Sequence, residues 1–261
     1  MSSKTDQRAQ EILRLLLRQG KTSIEELTRI LGKSPASVRR DLIRLEERGL
    51  VHRTHGGVML AEQVVYEPFR FDASFQVRED RFAAEKQRIA RVAADMVLEG
   101  ETIGLTAGTT TTQVARSLRQ RSGLRIITNA VNIGMELSNC VGLGTNLTGG
   151  SMRWAGAFSL VGSAAVESVS AFIMDRLFLG VCGVDPKRGA TTIEADEAAV
   201  FRAMARQAKQ VIVVADSSKV GMMSPAVICP PEAVNVLITD DGISTAALEA
   251  FARIGVRVLV A

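Results

Sequence analysis

Apolar residues recur at helical spacing through the first fifty positions. Ile12, Leu13, Leu16 and Leu17 share one face of a segment running from Asp6 to Gln19, which Gly20 would end. Ile24, Leu27, Ile30 and Leu31 mark a second helix, opened by Ser23 as N-cap with Glu26 three residues on to complete a capping box. Val38, Leu42 and Leu45 mark a third. Ser34 is its N-cap, Pro35 fits the first turn, and Gly49 supplies a left-handed stop. Leu50-Val51 and Val58-Met59-Leu60 then suit the arms of a short hairpin. Three helices followed by a hairpin predict a winged helix-turn-helix.

The pattern then changes. Residues 61–80 read as a linker, broken by Pro68, with Phe69, Phe71 and Phe75 available to dock on either side. Arg81 to Leu98 reads as a long helix burying Ile89, Val92, Ala93, Met96 and Val97. From Glu101 onward short apolar runs alternate with helical segments. Strands are predicted at Thr102–Leu105, Leu124–Thr128, Val141–Leu147, Ile173–Val181, Gln210–Ala215, Asn235–Thr239 and Arg257–Val260. Helices are predicted near 111–121, 130–138, 160–169, 195–208 and 244–254. This alternation predicts an α/β fold with a mostly parallel sheet covered on both faces. The chain thus divides into a DNA-binding domain (1–60), a linker (61–80) and an α/β domain (81–261).

Charge sharpens this division. Of the 261 residues, 1–60 carry 12 Lys and Arg against 7 Asp and Glu, while 61–261 carry 20 against 21. The basic surplus belongs to the amino-terminal unit, which suits duplex DNA there. On the third helix Arg40 and Arg44 point away from the apolar stripe, with Ser37 and Arg39 on its flanks. Arg53, His55 and the Gly56-Gly57 pair would sit at the hairpin tip, near phosphates. One Trp and one Tyr are too few for stacking on single strands. Three scattered cysteines, with both histidines in the hairpin, argue against a disulfide framework or a structural zinc, so no metal is expected. No signal peptide or long apolar run is visible, so a cytoplasmic protein without a membrane partner is expected.

In parallel α/β folds ligands bind beyond the carboxyl ends of the strands. Gly104-Leu105-Thr106-Ala107-Gly108-Thr109-Thr110-Thr111-Thr112 runs off one such end into a helix. Its free amides and hydroxyls could cradle an anion, and without a Walker-type lysine a small phosphate ester fits better than a nucleoside triphosphate. Thr128-Asn129, Gly149-Gly150 with Arg153, Asp175, Asp185 and Asp216-Ser217-Ser218-Lys219 belong to other strands or their ends. Lys219 could pair with the phosphate, and a carboxylate could grip sugar hydroxyls. Glu85-Lys86, taken by itself, reads as an exposed charge pair.

The run Val38-Arg39-Arg40-Asp41-Leu42, the segment Leu45-Glu46…Gly49-Leu50 and Arg53-Thr54-His55-Gly56-Gly57 closely resemble the DeoR family of transcriptional regulators. The resemblance continues through Glu85-Lys86, Gly108-Thr109-Thr110, Thr128-Asn129, Gly149-Gly150, Asp175…Gly180, Asp216-Ser217-Ser218-Lys219 and Thr239-Asp240. It implies an effector domain similar to ribose-5-phosphate isomerase, a phosphorylated sugar as effector with no cofactor, an operator in double-stranded DNA, and a homodimer or larger homo-oligomer. It also implies a repressor of a sugar-catabolic operon. The segment Arg188-Gly189…Thr192…Asp196-Glu197 looks closest to the amino-sugar-operon regulators. Lys33 and Pro35 depart from the commoner residues of the family, and Thr106 stands where the family usually has Asp. That last departure keeps open a constitutive regulator with a degenerate effector site. A sugar-phosphate isomerase would need a general base; Asp175, Asp185 and Glu197 are the candidates, with nothing in the sequence to fix their geometry.

Overall fold

The computed structural model describes residues 8, 9, 11–13, 15, 16, 21–47, 50–54, 57–60, 73–153 and 158–261. The chain divides into two compact units between Gln76 and Val77.

In the first unit, α1 holds the helical residues between 8 and 16, and its Ile12, Leu13 and Leu16 are buried; Leu17 and Gly20 lie outside the described residues. A two-residue strand, β1 (Lys21–Thr22), leads to α2 (Ile24–Leu31). The Ser23 hydroxyl accepts the Glu26 amide at 3.1 Å, so the N-cap forms. The Glu26 carboxylate accepts the Thr22 hydroxyl at 3.0 Å, a different partner from the backbone amide of a capping box. Leu27 is fully buried, but Ile30 is 41% exposed, outside the predicted apolar face. Gly32, at φ 58°, stops the helix. The third helix, α3 (Pro35–Glu47), starts where the Ser34 hydroxyl accepts the Ser37 amide at 3.3 Å. Val38, Leu42 and Leu45 pack with the α1 residues, Leu27, Val51 and Val58 into one core. The hairpin arms are β2 (Val51–Thr54) and β3 (Gly57–Leu60), and β1 joins β3 antiparallel as a third strand. Gly57 sits at φ 143°, where a Cβ would lie 2.3 Å from the Thr22 carbonyl oxygen. Only glycine lets β1 approach so closely.

A helix, α4 (Ala73–Asp80), occupies part of the predicted linker. Phe82 takes a left-handed turn at φ 57° and separates it from α5 (Ala83–Asp95). The single helix expected over Arg81–Leu98 is therefore shorter at both ends. Within the second unit Arg116 pairs with both Glu79, at the end of α4, and Glu136. The chain then runs through β4 (Thr102–Leu105), α6 (Thr109–Leu118), β5 (Leu124–Thr128), α7 (Val131–Leu137) and β6 (Leu143–Leu147). A hairpin of β7 (Ser151–Arg153) and β8 (Ser159–Val161) leads to α8 (Ser163–Ser170) and β9 (Arg176–Leu179). Next come β10 (Gly183–Asp185), β11 (Gly189–Thr192), α9 (Ala195–Arg206), β12 (Val211–Val214) and β13 (Ala226–Cys229). The last elements are β14 (Val236–Thr239), α10 (Thr245–Arg253) and β15 (Arg257–Val260).

Seven strands form one parallel sheet in the order β15-β14-β12-β9-β4-β5-β6. From β4 the chain builds outward through β5 and β6. It returns on the other side of β4 at β9 and builds outward again. The order reverses between β4 and β9, and crevices for ligands open at the carboxyl ends of such reversal points. Strands β10, β11 and β13 form a separate antiparallel sheet. Two predicted strands are shorter than expected at their starts: Val141 is 98% exposed and Ile173 69% exposed, and both precede the ordered pairing. Among the described residues no helix is long and apolar enough to cross a membrane.

Candidate functional site

Two surfaces are candidates for function, one in each unit. On α3, Arg39, Arg40 and Arg44 are exposed, opposite the buried Val38, Leu42 and Leu45. Ser37 is half-buried, and Ser34 is exposed with its hydroxyl engaged in capping. The basic face is held in place from behind. Asp41, only 3% exposed, accepts Arg8 Nε at 2.6 Å and Nη2 at 3.0 Å, which pins α1 to α3. Arg53 departs from expectation. It lies within β2, short of the tip, and its Nε donates to Glu46 Oε2 at 2.6 Å while its amide donates to Oε1 at 3.2 Å. This carboxylate fixes the wing to the helix and neutralises the charge expected to meet phosphate. His55 and Gly56 lie outside the described residues.

In the second unit a cleft of about 260 Å³ opens at the reversal point. Its walls come from the loops after β4, β9 and β12, from the turn between α4 and α5, and from the start of α9. Lys86, Gly108, Thr109, Thr110, Asp216 and Lys219 all line it, so part of the expected constellation does converge. Helix α6 begins at Gly108 with no side-chain cap, so its first amides are open to an anion. Lys86 is 4% exposed, which corrects its reading as a surface charge. Its ammonium donates to the carbonyl oxygens of Arg78 and Arg81. Burial pushes its pKa below the ordinary lysine value; Asp216 pulls it back and Lys219 adds to the fall. Asp216 is 3% exposed and accepts the Ser218 hydroxyl. Behind it, Asp240 accepts the amides of Ser217 at 2.6 Å and Gly242 at 2.9 Å. Burial pushes the Asp240 pKa up, but these bonds outweigh it and hold the carboxyl below its usual value.

The other expected residues fall elsewhere, for identifiable reasons. Thr106 is wholly buried and its hydroxyl accepts the Gly180 amide at 2.9 Å, joining the ends of β4 and β9. Thr111 is also buried and donates its hydroxyl to the Gly108 carbonyl at 2.9 Å. Thr128 caps the Ala130 amide at 3.0 Å. Asn129 accepts the Ala107 amide at 3.0 Å and donates to the Leu160 carbonyl, so it holds the cradle loop from behind. At Gly150, φ is 118° and a Cβ would lie 2.5 Å from the Val161 carbonyl oxygen; that glycine serves the β7–β8 hairpin. Arg153 meets Glu194 at 2.7 Å and Glu197 at 3.3 Å, and reaches the cleft only through Glu197. Asp175 stands at the amino-terminal start of β9, the wrong end of the sheet, where it accepts the Thr102 amide and Lys209 Nζ, both at 2.8 Å. Asp185 accepts the amides of Lys187 and Arg188 in the turn after β10.

Several wall residues were not expected as ligand contacts. Arg78, Arg81 and Phe82 come from the segment assigned to the linker or to the continuous helix. Thr192 comes from β11; Glu197, which the sequence offers only as a candidate general base, comes from the first turn of α9. The signal that could have found the two arginines was the charge cluster Arg78-Glu79-Asp80-Arg81 placed just before the helix that opens the α/β domain.

Two family models match the chain. The DeoR-like helix-turn-helix domain covers residues 8–64, and the DeoR C terminal sensor domain covers residues 81–241. Transcriptional repressor AccR of Agrobacterium fabrum is 37% identical, with 92% of each chain covered. HTH-type transcriptional repressor GlcR of Bacillus subtilis is 32% identical over 98% of this chain and 96% of its own. The glycerol-3-phosphate regulon repressor of Escherichia coli is 34% identical, with 84% of each chain covered. Among solved structures, ribose 5-phosphate isomerase A of Methanocaldococcus jannaschii aligns at a TM-score of 0.38 and 18% identity, covering 53% of this chain and 55% of that one. That likeness is partial and decides nothing about activity.

Proposed function

Starting from its membership of the DeoR family of transcriptional regulators, to which this chain belongs, we propose that it represses a sugar-catabolic operon and is released when a phosphorylated sugar fills the cleft. As a member of that family it is a DNA-binding regulator and not an enzyme. The observation that carries the reading is the composition of the cleft. An uncapped helix start, two lysines and two arginines surround a space of about 260 Å³ that also holds two carboxylates. The cations and open amides suit a phosphate dianion. A carboxylate suits the hydroxyls of the rest of the ligand. AccR, GlcR and the glycerol-3-phosphate regulon protein are all named repressors, and the last is named for a phosphate ester of a polyol.

Thr106, where the family usually has Asp, lies behind the wall and leaves these charged groups in place. The residues proposed to touch DNA are Arg39, Arg40 and Arg44, and the protein is proposed to act as a homodimer or larger homo-oligomer. The test is a thermal-shift screen of the intact protein against sugar phosphates, with free sugars and inorganic phosphate as controls. A ligand at 100 times its Kd stabilises the folded state by about 2.7 kcal/mol. For a protein of this size that moves Tm by several degrees. The same ligand must then weaken binding to an operator selected from random duplex DNA. If no sugar phosphate changes operator affinity, the reading fails.

A further inference from the structure

The cleft holds one charged group that the phosphate of a ligand cannot use. Glu197, in the first turn of α9, is 8% exposed and lies on the wall. A phosphate would be repelled by it. Its Oε1 is fully engaged: it accepts the Ser159 hydroxyl at 2.7 Å and faces Arg153 Nη1 at 3.3 Å. Among the described residues, Oε2 accepts no hydrogen bond. Oε2 is not among the buried unpaired atoms, so it is open to the solvent of the cleft, where a ligand hydroxyl can take the place of water. Asp216, the other carboxylate on the wall, differs. It is already bonded to Ser218 and acts on Lys86, so it belongs to the cationic part of the cleft.

Both partners of Glu197 come from the β7–β8 hairpin, with Arg153 on β7 and Ser159 on β8. Arg153 is itself braced by Glu194 at 2.7 Å. The hairpin therefore fixes the carboxylate's position and leaves one oxygen available. Thr192 and Ser224 line the same cleft and are small hydroxyl-bearing neighbours.

We propose that Glu197 is the specificity-determining residue of this cleft, accepting through Oε2 a hydroxyl from the non-phosphate end of a polyhydroxylated phosphate ester. Arg153 and Ser159 are positioning residues that aim it. This inference rests on the cleft being the effector site. It adds which side chain distinguishes one sugar phosphate from another. The physical basis is that a site built to bond a hydroxyl rejects an analogue lacking it, because the buried carboxylate is then left unpaired.

The test is isothermal titration of the full-length protein with inorganic phosphate and with a set of hexose 6-phosphates, each lacking or inverting one hydroxyl. Wild-type protein should bind one member at least tenfold tighter than the worst. In Glu197→Gln the side-chain oxygen keeps the Ser159 bond, so an amide donor replaces the acceptor. That variant should lose about 10- to 100-fold for the preferred sugar phosphate, compress the spread across the set, and bind inorganic phosphate as tightly as wild type or tighter, since a repelling charge is gone. Ser159→Ala, which keeps the charge but loosens its aim, should show a smaller loss with the same pattern. A merely structural role would weaken phosphate and sugar phosphate alike. That result, or an unchanged spread in both variants, overturns the proposal while leaving the cleft an anion site. Wild-type protein that binds neither phosphate nor any sugar phosphate overturns the effector reading itself, and Glu197's role with it.

Discussion

Lys86 shows where single residues escape a sequence reading. By periodicity it is one more charge on a helix, and nothing in the run Ala83-Ala84-Glu85-Lys86 says which way it faces. Its burial depends on two carbonyls, of Arg78 and Arg81, presented by a turn at Phe82 whose positive φ no pattern announces. Gly108 and Asp216 were legible because glycine and a polar run directly after an apolar strand have few other uses. Lys86→Met should keep the bulk and remove the charge. We expect at least a tenfold loss of inorganic-phosphate affinity with the fold intact by circular dichroism; unchanged affinity would place the anion elsewhere. The pH dependence follows from the lowered pKa. The folded chain releases this proton at a lower pH than the unfolded chain, so as pH rises through that window stability grows by this contribution. Anion binding needs the charged form and weakens over the same window. Phosphate titrations at increasing pH should lose affinity before the ordinary lysine range, and the Lys86→Met variant should lack that step. Asp175 is the converse case, a residue of the right type at the wrong end of its strand. Asp175→Ala should leave phosphate binding unchanged but strand the Thr102 amide, at about 1–3 kcal/mol of stability, read as a lower Tm.

At the scale of elements, the parallel strands were the most legible part. Thr102–Leu105, Leu124–Thr128 and Arg257–Val260 match their predicted bounds because each is a short apolar run between polar punctuation. The antiparallel strands β10, β11 and β13 were not legible. Gly183-Val184-Asp185 and Gly189-Ala190-Thr191-Thr192 carry little β signal, and the ladder to β13 breaks register between Ala190 and Thr191. The pairing of β11 with β13 is a long-range fact, and β11 ends in Thr192 on the cleft wall. Helix α3 was legible for the opposite reason: its cap Ser34, apolar stripe and basic face are all local to the run from Ser34 to Glu47. What the local pattern could not show is that Glu46 neutralises Arg53. We therefore expect Arg40→Ala to cost about 1–3 kcal/mol of operator affinity, as a base-contact residue. Arg53→Ala should cost less than Arg40→Ala, because its guanidinium is already occupied. Fluorescence anisotropy on a selected operator ranks the two; the reverse order would mean that the wing, and not the exposed face of α3, dominates the contact.

At the scale of the molecule, the chain separates what it binds with from what it senses with. Basic surplus sits in residues 1–60, and the cleft proposed to take the effector is lined by residues beyond 77. A repressor built this way works only if the effector has different affinities for the DNA-competent and DNA-incompetent states; tight binding to both would shift nothing. Thermodynamic linkage makes the coupling reciprocal, so whatever factor the effector takes from operator affinity, the operator must take from effector affinity. Coupling of about 1–3 kcal/mol is typical, a factor of 5 to 150. Titrating the identified sugar phosphate into free protein, and into protein saturated with operator, should give Kd values whose ratio equals the effector's effect on operator Kd. Glu197→Gln should lower effector affinity for free and operator-bound protein together, leaving that ratio near its wild-type value, because Glu197 reads the ligand and does not by itself report the state of the DNA-binding unit. A ratio that collapses to one in this variant would instead place Glu197 on the route by which occupancy of the cleft is felt at the operator.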